Sequence, residues 1–395
     1  MAPGPSSSSE KFPLSWYCNG SELYGVGIGA FSLARQMDKR GWPVQLLHSE
    51  QGPLVERFKD AGLATRKIDL PRRSTDYSGS LPAQLLKVAR GASFDRHVGK
   101  ALAEGVRAFG GNHVHVRWPS HLRAAVNARR ELGGPCFWEM PNFVSDRYPL
   151  GINRRFYQRL CRRGGVTVLA NSAATGRTVA GGGVEPITFY VATSVDRFEP
   201  IAADRAALGV PEDVVLVAIA SRLVADKGGM HLLRAAAKHT TTPGGRAVHV
   251  ALIGGPLDSD YAANLRRVAD EHGMTDRLHM PGQINDVRPW YAAADLTCNL
   301  RIEPEPFGLS VIESMLMEVP VLVHAHGGPA ETIVDGQTGW HIGSMDQSDV
   351  DAGFARALAD ELRWQQLGQA ARTRALTHFS DTAVADHYER LLAQV

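Results

Sequence analysis

Two carboxylates, Glu305 and Glu313, frame the segment of this chain that is densest in chemistry, Glu303-Pro-Glu305-Pro-Phe307-Gly308-Leu309-Ser-Val-Ile-Glu313. Pro306 and Gly308 enforce a turn after a strand, and Leu309, Ile312 and Leu316 then share one face of a helix predicted over 309–318. The amides of residues 307–310 open that helix, and a helix N-terminus is a ready phosphate site. Glu305 stands in the loop just before it and Glu313 about one turn inside, so both can face one ligand. Amides for a phosphate and carboxylates for hydroxyls suit a phosphorylated sugar. For Glu313 the plain alternative is a solvated face or an i,i+4 partner; Ile312 and Leu316 already define the buried face beside it, which favours the ligand.

The elements that must position such a site can be read along the chain. At 395 residues with 44% apolar side chains, the sequence is long enough for two domains with real cores. Short runs rich in β-branched and aromatic residues alternate with helical periodicity, the pattern of βαβ units. Strands are predicted at 14–18, 44–48, 65–70, 113–118, 136–140, 166–170 and 187–191, then, after a polar connection with Pro200, at 214–220, 248–254, 278–280, 296–299 and 319–323. The expected fold is α/β: two doubly wound, Rossmann-like domains facing across a cleft, with ligands at the C-terminal ends of the strands. The domains are placed at 1–195 and 196–376, and 377–395 as a terminal helix whose amphipathic stretch is 381–392, with Val384, Tyr388, Leu391 and Leu392 on one side.

A net charge of +2 argues against a dedicated nucleic-acid binder. It conceals a division: residues 1–195 hold 26 basic and 14 acidic side chains, a balance of +12, and the remainder 17 and 27, a balance of −10. Opposite signs favour approach of the two halves, subject to screening by salt. Cys18, Cys136, Cys161 and Cys298 have no metal or disulfide spacing. No segment reaches the length of a membrane span and the N-terminus lacks a signal-peptide pattern. The expectation is a cytoplasmic protein with at most peripheral membrane contact.

Glu305 and Glu313, with their Pro-Phe-Gly-Leu filling, carry the Glu-x7-Glu donor signature and resemble the retaining glycosyltransferases of family 4, which have the GT-B fold. Ser221-Arg222-Leu-Val-Ala-Asp-Lys227-Gly resembles the segment in which that family grips the donor diphosphate. Leu252-Ile-Gly254-Gly-Pro, Leu278-His-Met-Pro-Gly282-Gln, Tyr291-Ala-Ala-Ala-Asp295 and Gly327-Gly-Pro-Ala-Glu331-Thr follow in the family's order. The resemblance implies that Glu305 meets the donor sugar, Glu313 the nucleotide ribose, and Arg222 and Lys227 the diphosphate. Glu305, Arg222 and Lys227 would be catalytic, and Gly254, Gly282, Phe307, Gly308 and Leu309 would complete the donor site. A fixed Arg and Lys stabilise a departing diphosphate without a metal, and no Asp-x-Asp cluster occurs, so neither a metal nor a cofactor is expected beyond the nucleoside-diphosphate sugar itself.

In the first half the resemblance is looser. Gly25, Gly27 and Gly29 are read as a phosphate or acceptor loop preceding a helix, or else a simple turn. Many relatives have a His near the end of the strand at 136–140; here Met140 or Pro141 stands there, which leaves Glu139 or another residue to assist the acceptor. Trp118, Trp138, Glu139, Asn142 and His115 are the acceptor-side candidates, core packing being the alternative for the tryptophans. Arg155, Arg159 and Arg162 form a helical stripe that could meet anionic headgroups or a phosphorylated acceptor, or simply face water. The expected activity is retaining, metal-independent transfer of a sugar to a small acceptor hydroxyl or thiol, as in natural-product biosynthesis, by a chain that could form an oligomer. The alternatives are a GT-B epimerase or hydrolase acting on a sugar nucleotide, and a silent sugar-nucleotide-binding protein.

Overall fold

The computed structural model describes residues 11–21, 25–69, 81–144 and 153–394. Its chain divides into two compact units, Met1–Ala192 with Asp381–Val395, and Thr193–Ser380. The divisions thus lie at 192/193 and 380/381, beside the expected 195/196 and 376/377.

Unit 1 is a parallel sheet of seven strands in the order β3-β2-β1-β4-β5-β6-β7. The strands are β1 (Leu14–Cys18), β2 (Val44–His48), β3 (Ala64–Lys67), β4 (Val114–Val116), β5 (Cys136–Met140), β6 (Val166–Ala170) and β7 (Ile187–Thr188). Helices α1 (Gly25–Lys39), α2 (Pro53–Asp60), α3 (Leu81–Ala108), α4 (Leu122–Leu132), α5 (Asn153–Gly164) and α6 (Ala173–Arg177) make the crossovers. Every residue of β1, β2 and β5 is buried, as expected where helices cover both faces of a parallel sheet. β3, Ala-Thr-Arg-Lys, is largely exposed at the sheet edge, where charged side chains discourage pairing with another strand. Local signals set helix ends: Ser172 caps α6 by accepting from the Thr175 amide at 3.0 Å, and left-handed Gly133 closes α4.

Unit 2 is a six-stranded parallel sheet in the order β10-β9-β8-β11-β12-β13. Its strands are β8 (Val215–Ala220), β9 (Val248–Ile253), β10 (Leu278–Gly282), β11 (Leu296–Asn299), β12 (Val321–His324) and β13 (Gly339–Ile342). They are linked by α7 (Gly229–Lys238), α8 (Asp260–Glu271), α9 (Arg288–Ala293), α10 (Leu309–Leu316), α11 (Pro329–Thr332), α12 (Gln347–Ala359) and α13 (Trp364–His378). The last helix, α14 (Asp381–Leu392), belongs to unit 1, where Val384, Tyr388, Leu391 and Leu392 join the core around Trp16, Leu33 and Phe58. At about 25 cal/mol per Å² of apolar surface, anchors of this size contribute roughly 1.5–3 kcal/mol each before entropy is subtracted.

Several sequence expectations are corrected. Gly25, Gly27 and Gly29 do not form a loop before a helix; they are the first turns of α1 itself. Gly29 is glycine because a Cβ there would lie 2.3 Å from Val191 Cγ1, so close packing of α1 explains it. β12 begins at Val321, not 319, since Glu318 reverses the chain with φ 62° and Pro320 has no N–H to give to a ladder. The first-half strands expected at 113–118 and 187–191 shorten to three and two residues, and Leu70, the expected end of the third strand, lies outside the described residues. β13 was not anticipated: Gly339-Trp-His-Ile is too short and mixed to show alternation.

Candidate functional site

In unit 2 the chain starts at β8, proceeds outward through β9 and β10, then returns to the other side of β8 at β11. Open α/β sheets bind ligands outside the C-terminal ends of the strands where the order reverses, here between β8 and β11. The loops at that point are residues 221–228 after β8 and 300–308 after β11. Gly228 joins them: its φ is +76°, and a Cβ would sit 2.1 Å from the Leu300 carbonyl oxygen.

This approach aligns four charges. Lys227 Nζ lies 3.1 Å from Glu305 Oε2, Arg301 Nη1 3.5 Å from Glu305 Oε1, and Arg301 Nε donates to Asp226 Oδ2 at 2.8 Å. Asp226 Oδ1 also accepts from the Glu303 amide at 3.0 Å. Arg301 and that amide hold the Asp226 carboxyl below its ordinary range against the opposing effect of its burial. Lys227 and Glu305 remain 22% and 14% exposed, so the pair is open to a ligand yet oriented by the loops. Ion pairs that still reach solvent contribute little stability, about 0–1 kcal/mol, and the value of this one is position.

The backbone of Glu305 is fixed as firmly as its side chain. Its amide donates to the His326 carbonyl at 3.0 Å and its carbonyl accepts from Gly328 at 2.7 Å. Gly327, with φ +95°, permits this contact, since a Cβ would fall 2.2 Å from the Glu305 oxygen. Phe307 is buried and packs edge-on against Phe379. Gly308, left-handed at φ 87°, then starts α10 with no side-chain cap, leaving first-turn amides for a ligand; Leu309 is half-buried there. On α10, Glu313 accepts from the buried Tyr291 hydroxyl at 3.1 Å, and Asn299 Nδ2 donates to Ser310 Oγ at 3.3 Å. Burial raises the Glu313 carboxyl above its ordinary range, with the charge of Arg197 and the Tyr291 bond opposing.

The remaining donor candidates divide by role. Gly254 lets two strand ends meet, for a Cβ would stand 1.9 Å from the Ser221 carbonyl, and the adjacent Gly255 carbonyl accepts from Leu223 at 2.9 Å. Gly282 ends β10 in the left-handed region beside Leu257. Arg222 projects from the first loop, exposed, its guanidinium in no ion pair with a described residue. Lys227 and Glu305 are therefore brought together, while Arg222, on the same loop as Lys227, forms no ion pair with Glu305. Sequence reasoning gave no site role to Asp226, Arg301, Tyr291 or Arg197, although Asp226 and Tyr291 lie within the segments that carry the family resemblance. No three His, Cys, Asp or Glu side chains form a metal-ligating group among the described residues.

In unit 1 two of the acceptor-side candidates, His115 and Glu139, belong to a buried hydrogen-bonded chain. Ser15 N–H reaches His113 Nδ1 at 3.4 Å, and His113 Nε2 contacts Tyr388 Oη at 2.9 Å. Tyr388 Oη contacts His115 Nδ1 at 3.1 Å, and His115 Nε2 meets Glu139 Oε2 at 3.0 Å. Arg117 closes the chain, Nε on Glu139 Oε2 at 3.0 Å and Nη2 on Oε1. If the Ser15 amide donates to Nδ1, each later bond follows in one direction: His113 to Tyr388, Tyr388 to His115, His115 to Glu139. Burial would raise Glu139, but Arg117 and His115 overcome it and set its carboxyl at about 2. Glu139 is thus an ionised, fully partnered anchor rather than an available base. His115 and Trp138 are completely buried, Trp138 donating to the Arg117 carbonyl at 3.0 Å; Trp118 is half-buried and Asn142 exposed.

With this geometry in hand, the chain can be set beside known proteins. Residues 200–374 match the family described as Glycosyl transferases group 1, and residues 24–189 the Glycosyl transferase 4-like domain. The lipopolysaccharide core biosynthesis glycosyltransferase LpsE of Rhizobium meliloti is 32% identical over 197 residues, 49% of this chain and 54% of that protein. A D-inositol 3-phosphate glycosyltransferase of Mycolicibacterium paratuberculosis is 37% identical over 191 residues, 47% of this chain and 40% of that protein. The chain thus spans about half the length of the curated relatives it matches. Among solved structures, Anabaena Alr3699/HepE in complex with UDP and glucose superposes with a TM-score of 0.76 at 19% identity, over 97% of this chain and 100% of that one. Sucrose-phosphate synthase from Thermosynechococcus elongatus gives 0.74 at 20% identity, over 97% and 98%. Both likenesses concern the fold.

Proposed function

We propose that this chain, which belongs to the GT-B glycosyltransferases, transfers a sugar from a nucleoside diphosphate to a small acceptor with retention of anomeric configuration and without a metal. The observation that carries the reading is the Lys227–Glu305 pair at the strand-order reversal of unit 2, beside the uncapped start of α10. A sugar nucleotide needs both kinds of contact: donors for the diphosphate and acceptors for hydroxyls.

As the glycosyl bond breaks, negative charge grows on the β-phosphate. Lys227, Arg222 and the first amides of α10 supply fixed positive potential for it, which lowers the barrier because the groups need not reorganise. Glu305 accepts hydrogen bonds from the sugar hydroxyls and sets which face of the ring is presented. Glu313, steadied by Tyr291, accepts from the ribose. In a front-face retaining reaction the leaving phosphate oxygen takes the acceptor proton as the new glycosidic bond forms, so no protein base is required. This agrees with Glu139 being tied to Arg117 and His115. The named targets of the relatives, lipopolysaccharide core and D-inositol 3-phosphate, favour a polyhydroxylated acceptor. The test is incubation with UDP-, GDP- and ADP-sugars, following nucleoside diphosphate release with and without cell extract. Acceptor-dependent release supports transfer; release or conversion of the donor without acceptor supports the epimerase or hydrolase alternative instead.

A further inference from the structure

Helices α3, α4 and α5 of unit 1 leave between them a groove of about 440 Å³, whose lining includes none of the donor-site or acceptor-side residues assigned above. It is lined by the apolar side chains of Ala92, Val126 and Leu160 and by Arg96, Arg123, Arg130 and Asn127. Three cationic side chains among apolar ones are an unusual lining for a space that could otherwise have closed by packing. The rim continues the pattern. α5 has five arginines and no acid, and Phe156 on it is 39% exposed with the Arg123 guanidinium 5.2 Å above its ring.

The cations are only partly neutralised. Arg123 lies 3.4 Å from Asp95, Arg154 donates to the Ala180 carbonyl and Arg162 to that of Gly182. Arg96, Arg130, Arg155, Arg159 and Arg163 are exposed and form no ion pair with a described residue. Neighbouring acids are engaged elsewhere, Glu104 with Lys100 and Glu131 with Arg107.

We infer that this face docks on an anionic lipid bilayer, one lipid phosphate seating among Arg96, Arg123 and Arg130, with Phe156 entering the interface. Charge complementarity selects the occupant: a surface of phosphate headgroups meets many guanidinium groups at once, and the apolar lining and exposed aromatic fit the acyl boundary beneath. A single-stranded polynucleotide would use the same charge but calls for several stacking aromatics, and this rim exposes one, Phe156. No described helix is long and apolar enough to cross a membrane, so the contact is peripheral. The inference stands whether or not the donor assignment does.

The test is sedimentation of the full chain with vesicles of phosphatidylcholine alone or with 30% phosphatidylglycerol, in about 0.1 M salt. The expected result is partition to the anionic vesicles only, weakening as salt rises. Combined Arg96→Glu, Arg130→Glu and Arg159→Glu should lower partition by at least about fiftyfold, and Phe156→Ser by a few-fold. These side chains are exposed, so far-UV dichroism and Tm should stay at wild-type values. Equal partition to neutral vesicles, no partition at all, or full partition by the triple variant overturns the inference. So does stoichiometric binding of inorganic phosphate without vesicle binding, which would mark a site for a free phosphorylated ligand, or tighter binding to a single-stranded RNA oligomer.

Discussion

Lys227 and Glu305, 78 residues apart in sequence, meet at 3.1 Å because Gly228 allows the loop after β8 to touch the loop after β11. Neither residue is anchored in a core, so each can be replaced without opening a cavity. Lys227→Ala and Glu305→Ala should each lower kcat by about 10²–10³, the usual cost of losing one electrostatic stabiliser, while Tm changes little. Lys227→Arg should recover part of the loss. Steady-state kinetics beside thermal melts measure both effects.

Gly327 tests whether the Glu305 backbone must be held. Its φ of +95° and the 2.2 Å separation between a would-be Cβ and the Glu305 oxygen leave no room for a side chain. Gly327→Ala should destabilise unit 2 by about 1–3 kcal/mol and reduce turnover as well. Urea titration and kinetics on one preparation show whether the two losses go together.

Glu313 should affect donor binding more than chemistry. If it accepts from the ribose, Glu313→Gln raises the donor KM by about tenfold, roughly 1.4 kcal/mol, with kcat nearly kept. Because its carboxyl titrates above the ordinary value of 4.5, the donor KM should begin to climb at a higher pH on acidification than an exposed Glu would cause. Tyr291→Phe removes a donor to the carboxylate and should extend that rise to higher pH still. A donor KM independent of both substitutions would count against the ribose contact.

Acid stability follows from groups outside the donor site. The His249 ring, on β9 and stacked on His279, is lowered from 6.5 to about 4 by burial first, then by its neighbours His279 and Arg277. The unfolded chain then binds a proton that the folded chain refuses, so this contribution is intact above about 6.5 and is lost as the pH falls toward 4. Glu139, lowered to about 2, has the same sign at lower pH: its contribution is present above 4.5 and disappears as pH falls through 2. His249→Gln should flatten the stability slope between 6.5 and 4, and Glu139→Gln, which strands the buried Arg117 charge, should cost about 3–5 kcal/mol at pH 7. Denaturant melts at several pH values check both.

Much of this site was legible before any coordinates. β11 and α14 have the boundaries expected from periodicity, because each is a single pattern bounded by clear stops. Glu305, Gly308 and Glu313 stand out because turn chemistry and helical spacing coincide within one short segment. What stayed hidden depends on distant chain meeting in space. Asp226 looks like any loop acid until Arg301 arrives 75 residues later, and Tyr291 like any helix aromatic until its hydroxyl finds Glu313. Glu139 shows the opposite error: on a strand it reads as a free base, and only His115 on the neighbouring strand and Arg117 just past that strand's end reveal it as an anchor. The three glycines of α1 were misplaced by proximity, since glycine marks a loop and a close helix contact equally well.

The most direct test of the account is acceptor-dependent release of nucleoside diphosphate by the wild-type chain and by Glu305→Ala, with the anomeric configuration of the product read by proton NMR coupling. The account predicts release that needs both donor and acceptor, the donor's own anomeric configuration in the product, and turnover reduced about a hundredfold or more in the variant. An inverted product, or wild-type turnover from Glu305→Ala, would contradict it.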